Sequence, residues 1–205
     1  ILQATYFISD LHLNESEPTT VLLFNEFLNK VKPNDSLYIL GDFFDYWINS
    51  PRDNISNFHK NILLQLNKLT TAGIKIYFMP GNRDFLLKKE TLCKFNINYL
   101  PNKPTIIKIN NKNILIAHGD QWCTDDHSYQ RYKKIVSNIC IQKIFFSLPK
   151  FIKDKIAKKI RQKSSSLQKS HYKPIDVTDE AILNAIDDYK DPVSLLIILF
   201  MGILI

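Results

Sequence analysis

Cysteine is scarce and scattered: Cys93, Cys123 and Cys140 are far apart in the 205-residue chain and form no C-x-x-C pair. That argues against a thiolate-built metal site and predicts three reduced structural thiols in a cytoplasmic protein. The opening ILQATYFISD has no basic n-region and no small-residue cleavage site, so no signal peptide is expected. The apolar segment Val193 to Ile205 falls short of the roughly 20 residues a spanning helix needs. Its first part, Val193 to Leu199, reads as a buried strand. The chain has no recognisable nucleic-acid-binding motif, although its net charge is +7 and its pI about 9.2. Such a charge suits an acidic partner: a phosphate ligand, a nucleic acid or an anionic lipid surface. Here the basic residues gather on one amphipathic segment, so no nucleic-acid partner is expected.

The apolar fraction of 45% and charged fraction of 23% are those of a soluble globular protein. The length suits a single domain, 1–205, with a substantial core. Apolar runs predict strands at Thr5–Ser9, Ser36–Leu40 and Lys75–Met79. Helical spacing predicts helices over Thr20–Val31, Ser56–Thr71 and Lys89–Phe95. Thr105–Ile109 and Asn113–Ala117 flank Asn110-Asn111-Lys112, a hairpin signal. From Ser128 to Lys173 the chain turns Lys-rich and aromatic, which predicts two or three amphipathic basic helices followed by a Ser-rich loop. Val177–Tyr189 returns to helix, N-capped by Thr178 or Asp179.

Four polar groups follow in order, each just after an apolar run: Asp10-x-His12, Gly41-Asp42, Gly81-Asn82-Arg83-Asp84 and His118-Gly119-Asp120. Ligand sites of open α/β sheets lie at the C-terminal ends of strands. The mixture of carboxylate, imidazole and amide oxygen suits Mn²⁺ or a similar divalent ion. Asp42, between two strands, is the natural bridge for two ions that would activate a water and hold an in-line phosphoryl displacement. The planar donor fork of Arg83 suits phosphate oxygens. Asp84 is expected to orient a ligand His.

In this order the four motifs resemble the calcineurin-like metallophosphoesterases. YILGDFFDYWI, MPGNRDFLL and IAHGDQWCTDDHSYQ resemble the branch of that family that acts on UDP-2,3-diacylglucosamine in bacterial lipid A biosynthesis, and the likeness runs from about Thr5 to Ile197. It implies an α/β fold, a metallophosphoesterase β-sandwich flanked by helices, with 128–173 as a basic helical lid. It implies two divalent cations, most simply Mn²⁺, held by Asp10, His12, Asp42, Asn82 and His118. The implied substrate contacts are Asn82, Arg83, Asp126, Ser164, Gln168 and Lys169. The implied reaction is cleavage of the substrate's pyrophosphate, giving UMP and 2,3-diacylglucosamine 1-phosphate. A diacylated substrate needs an apolar groove, which Ile144, Phe145, Phe146, Leu148, Phe151, Ile152, Ile156 and Ile160 would line. Lys150, Lys153, Lys155, Lys158 and Lys159 would face anionic lipid heads, placing the protein peripherally on the cytoplasmic face of the inner membrane.

The family closes its ligand set with His-Gly-His-Thr-His after a strand. Here 199–205 reads as an atypical tail, Phe200-Met201-Gly202-Ile203-Leu204-Ile205, and the expectation is a truncated or frameshifted chain in which the strands that follow in the family are lost. Written as TTC ATG GGC ATA CTC ATA and read two bases later, that string is CAT GGG CAT ACT CAT, which encodes the family motif. The hypothesis is a frameshift just before the motif. Sequencing the gene tests it, and other codons at Phe200, Gly202, Ile203 or Leu204 would end it. The competing expectations are an inactive remnant that binds one metal, and a metallophosphoesterase for another phosphodiester.

Overall fold

In the computed structural model the described residues are 3–124, 127–169, 180, 183, 184, 186 and 195–198. They fall into two compact units, one drawn from 1–118 and 193–205, the other from 119–192. The first unit alternates strand and helix. Its elements are β1 (Thr5–Ile8), α1 (Pro18–Leu28), β2 (Ser36–Leu40), α2 (Asn57–Thr71), β3 (Lys75–Met79), α3 (Lys89–Cys93) and β4 (Asn98–Tyr99). A hairpin, β5 (Thr105–Ile109) and β6 (Lys112–Ala117), and a final strand, β7 (Leu195–Ile198), complete it.

β1, β2, β3 and β4 form a parallel sheet in that order, and β5, β6 and β7 form a second. β6 pairs antiparallel with β5 and parallel with β7. Alternation along the strands gives the first sheet two different faces. On one face Phe7, Tyr38 and Tyr77 are cross-strand neighbours in register. Their rings stack at centroid distances of 5.1 and 4.5 Å, a ladder that fixes the register of three strands. The same face supplies Leu40 and Met79 to a core cluster shared with Ile114 and Ile116 of β6. The two sheets therefore pack face to face, and a β-sandwich is what forms.

The other face carries Leu37, Ile39, Ile76 and Phe78, all buried. Phe78 meets Phe43 edge to face at 5.7 Å, and Phe43 meets Phe24 of α1 at 5.2 Å. Helices cover this side. α2 begins at an N-cap, Ser56, whose hydroxyl accepts the His59 N–H. It buries Ile62, Leu63 and Leu66, the spacing its sequence predicts. Pro18 at the first helical position lets α1 start two residues earlier than its apolar spacing indicates. Asn110 and Asn111, at φ +49° and +61°, make the two-residue hairpin turn between β5 and β6.

The second unit is helical, with α4 (His127–Val136), α5 (Ile139–Ser147) and α6 (Lys150–Lys169). α5 is capped by Asn138, whose side-chain oxygen accepts the N–H groups of Cys140 and Ile141. Pro149 stands just before α6, where it needs no N–H partner. The expected Ser-rich loop is corrected here: Ser164, Ser165 and Ser166 lie inside α6, whose backbone stays helical to Lys169. Serine is a poor but permitted helix former, and the surrounding Lys, Gln and Leu carry the helix through it. Ile144, Phe151 and Ile160 are exposed, as the groove expectation requires, whereas Lys153 is buried and so faces no lipid surface. Of the helix expected over Val177–Tyr189, the described residues Glu180, Leu183, Asn184 and Ile186 are helical, and its proposed caps lie outside the described residues. No helix among the described residues is long and apolar enough to cross a membrane.

Candidate metal centre

Four strand ends meet, the first two through backbone hydrogen bonds and the others through side chains. The loop after β1 and the loop after β2 are laced together: Asp10 N–H donates to Gly41 O at 3.1 Å, His12 to Asp42 O at 3.0 Å and Leu13 to Phe43 O at 2.8 Å. Asp45 N–H returns to Leu13 O at 3.1 Å. This lacing holds Asp10, His12 and Asp42 in the left-handed region, at φ +55°, +48° and +51°. Each such non-glycine residue carries strain, which persists only where its surroundings over-determine the backbone. Three together at one spot are the mark of a functional site.

The β3 loop is tied in by carboxylates. Asp84 is fully buried; its Oδ1 accepts Gly81 N–H at 2.7 Å, and its Oδ2 accepts Phe43 and Phe44 N–H at 2.9 and 3.3 Å. Asp84 therefore staples two loops together; the carboxylate that was expected to orient a histidine binds three backbone amides instead. Asp42 Oδ1 accepts Arg83 N–H at 2.9 Å. Asn82 lies in the turn between these two anchored amides.

His118 ends β6. Its Nδ1 stands 2.9 Å from the Leu40 carbonyl, which sets Nδ1–H as donor and leaves Nε2 3.7 Å from Asp42 Oδ1. A backbone carbonyl thus orients this histidine. The approach is close: a Cβ on Gly41 would lie 2.4 Å from His118 Nδ1, and one on Gly81 would lie 2.3 Å from Asp42 Oδ1. No side chain fits at either position.

Asp10, Asp42 and His118 each offer a ligand atom, all within 4.8 Å of one another. Both ring nitrogens of His12 and Oδ1 of Asp10 are buried without a hydrogen-bond partner among the described residues. Burial, then the charges of Arg83 and His118, lowers the His12 pKa to about 4, so its imidazole is neutral at physiological pH. Burial raises the pKa values of Asp10, Asp42 and Asp84 against opposing pulls, among them the His118 charge. A neutral imidazole and clustered, desolvated carboxylates with unsatisfied atoms fit a divalent cation, which would satisfy both the lone pairs and the charge.

Arg83, half-buried, keeps one contact among the described residues for its guanidinium: Nη1 lies 3.4 Å from Oδ1 of Asp45, which is 5% exposed. Sequence reading passed over Asp45; its one signal was a second acid three residues after Asp42. In the helical unit Asp120 is fully buried and takes Tyr129 Oη–H at 2.7 Å and Lys133 Nζ at 2.8 Å. Of the expected substrate contacts, Asp126 lies outside the described residues. Ser164, Gln168 and Lys169 are placed on α6 by backbone only.

This strand-end cluster fits a metallophosphoesterase, and the chain belongs to the calcineurin-like phosphoesterase family, whose model matches residues 4–196. The family uses divalent metals. The curated relatives narrow the class. The chain is 41% identical over 188 residues to the UDP-2,3-diacylglucosamine hydrolases of Photorhabdus laumondii and of Proteus mirabilis, covering 91% of this chain and 77% of each relative. It is 36% identical over 180 residues to the enzyme of the same name from Neisseria meningitidis, covering 87% of this chain and 73% of that one.

Proposed function

We propose that this chain hydrolyses the pyrophosphate of UDP-2,3-diacylglucosamine, releasing UMP and 2,3-diacylglucosamine 1-phosphate in lipid A biosynthesis. The observation that carries the reading is the meeting of Asp10, Asp42 and His118 at strand ends, in a chain 41% identical to hydrolases named for that substrate. Asp10, His12, Asp42, Asn82 and His118 would hold two divalent cations, with Mn²⁺ the best match to mixed carboxylate, imidazole and amide donors. Bound there, the cations supply an activated water and charge neutralisation for in-line displacement at phosphorus.

The chain's own residues do the rest. Asp42 Oδ1 accepts the Arg83 amide and so anchors the backbone from which the Arg83 side chain starts, and a guanidinium fork suits phosphate oxygens. Leu40 O holds the His118 ring so that Nε2 faces Asp42 as the ligand atom. Asn82 and Arg83, with Asp126, Ser164, Gln168 and Lys169, form the substrate contacts. In the same reading 1–205 is one domain and 128–173 its lid. The exposed Ile144, Phe151 and Ile160, with the exposed lysines 150, 155, 158 and 159, support an acyl groove and peripheral attachment to the inner face of the cell membrane.

The test is release of UMP from the lipid nucleotide by purified protein after chelation and reloading. Release is expected with Mn²⁺ and none after chelation. No release with any divalent ion, from protein that still binds Mn²⁺, would instead indicate an inactive remnant. Cleavage of other phosphodiesters with this substrate untouched would indicate a different specificity.

A further inference from the structure

Arg83 has its backbone fixed on both sides. Its N–H donates to Asp42 Oδ1 at 2.9 Å, and its carbonyl accepts Trp47 N–H at 3.2 Å. What stays free is a long side chain with many rotamers, which must be in one place to meet a phosphate. Asp45 is the group that limits that freedom. Its own backbone is pinned by the bond to Leu13 O, and its carboxylate is almost wholly buried.

The contact is single and long, 3.4 Å through one Nη1. A bidentate clamp would have used up the fork; here the other guanidinium donors have no acceptor among the described residues. An ion pair with a buried carboxylate is weak evidence for stability. Its effect is geometric: it holds the fork in place and leaves its remaining donors for an incoming anion.

We infer that Asp45 is the positioning residue for Arg83, tethering the guanidinium beside the ligand cluster so that its free donors meet the phosphoryl oxygens of a nucleoside monophosphate moiety. The inference rests on the reading of Arg83 as a phosphate contact. It does not need the lipid part of the substrate.

The probe is therefore UMP, titrated by calorimetry into Mn²⁺-loaded protein. Arg83→Gln is expected to weaken binding roughly thirty-fold, and Asp45→Asn roughly ten-fold, as the guanidinium loses its tether. The double variant should be no weaker than Arg83→Gln alone, because the effect of Asp45 on UMP binding passes through Arg83. Asp45→Glu, which keeps the charge, should recover most of the loss. Multiplying effects in the double variant would overturn the inference, as a role in folding alone would act on every background. So would an Asp45→Asn that binds like the wild type, or a wild-type protein that ignores UMP. If Asp45→Asn does not fold, Asp45→Ser is read in the same cycle. Intact UMP binding with no UMP released from the lipid nucleotide sinks the proposed substrate and leaves the Asp45 assignment standing.

Discussion

Asp42→Asn is expected to lower metal-dependent phosphodiester hydrolysis by about a thousand-fold or more while the protein stays folded. Asp42 is the carboxylate common to the cluster: its Oδ1 faces His118 Nε2 and accepts the Arg83 amide. Asparagine keeps an oxygen for that amide and tolerates the left-handed backbone at φ +51°. The change therefore removes charge and little else. The sign of the stability effect follows from burial, which raises the Asp42 pKa above its ordinary value of 3.8. In the metal-free protein the folded state holds its proton more tightly than the unfolded chain. Stability is then fully present at acid pH and is lost as pH rises from the ordinary carboxylate range through the raised value. Without metal, Asp42→Asn should melt no lower than the wild type at neutral pH. Adding Mn²⁺ should raise the melting temperature of the wild type and leave the variant unmoved. Activity within ten-fold of wild type, or undiminished stabilisation by Mn²⁺, would remove Asp42 from the centre.

Gly41→Ala should be strongly destabilising. The added Cβ would sit 2.4 Å from His118 Nδ1, 2.7 Å from its Cγ and 2.9 Å from the Gly81 Cα, at a backbone φ of +91°. Neither the histidine nor the glycine backbone can yield without breaking the bond to Leu40 O or the β3 loop contacts. Overpacking and the left-handed penalty together cost about 3–5 kcal/mol. Gly73→Ala separates the two causes. It has nearly the same φ, +94°, with nothing within 4 Å of the added carbon, so about 1–2 kcal/mol is expected there. Urea unfolding of the two variants measures the difference. If Gly41→Ala costs no more than Gly73→Ala, the loops after β2 and β6 are further apart than described.

Much of the architecture was legible because β1, β2 and β3 are short apolar runs, each followed by a polar motif. The bounds of β2 and β3 are those the pattern indicates, Ser36–Leu40 and Lys75–Met79. β4 was missed because two residues, Asn98 and Tyr99, carry no periodicity; only pairing with β3 makes them a strand. The serines of 164–166 resembled a loop by composition, while α6 continues through them. In the centre, residue type and order pointed to Asp10, Asp42 and His118, and the fold brings ligand atoms of these three within 4.8 Å of one another. They could not reveal the work of Asp84 or Asp45. Whether a carboxylate grips backbone amides, an arginine or a metal depends on which loops the fold brings within 3 Å, and spacing along the chain does not encode that distance.

The left-handed backbone at Asp10, His12 and Asp42 limits how the centre can be re-engineered. Any redesign toward a softer ion would install sulfur at these positions, and cysteine gains nothing from the local polar contacts that let Asp, Asn and His occupy such a conformation. Of the short ligand-bearing side chains, only those three enter it readily. The main chain therefore favours oxygen and imidazole donors at these positions, and installing sulfur there would have to begin by relaxing the two laced loops.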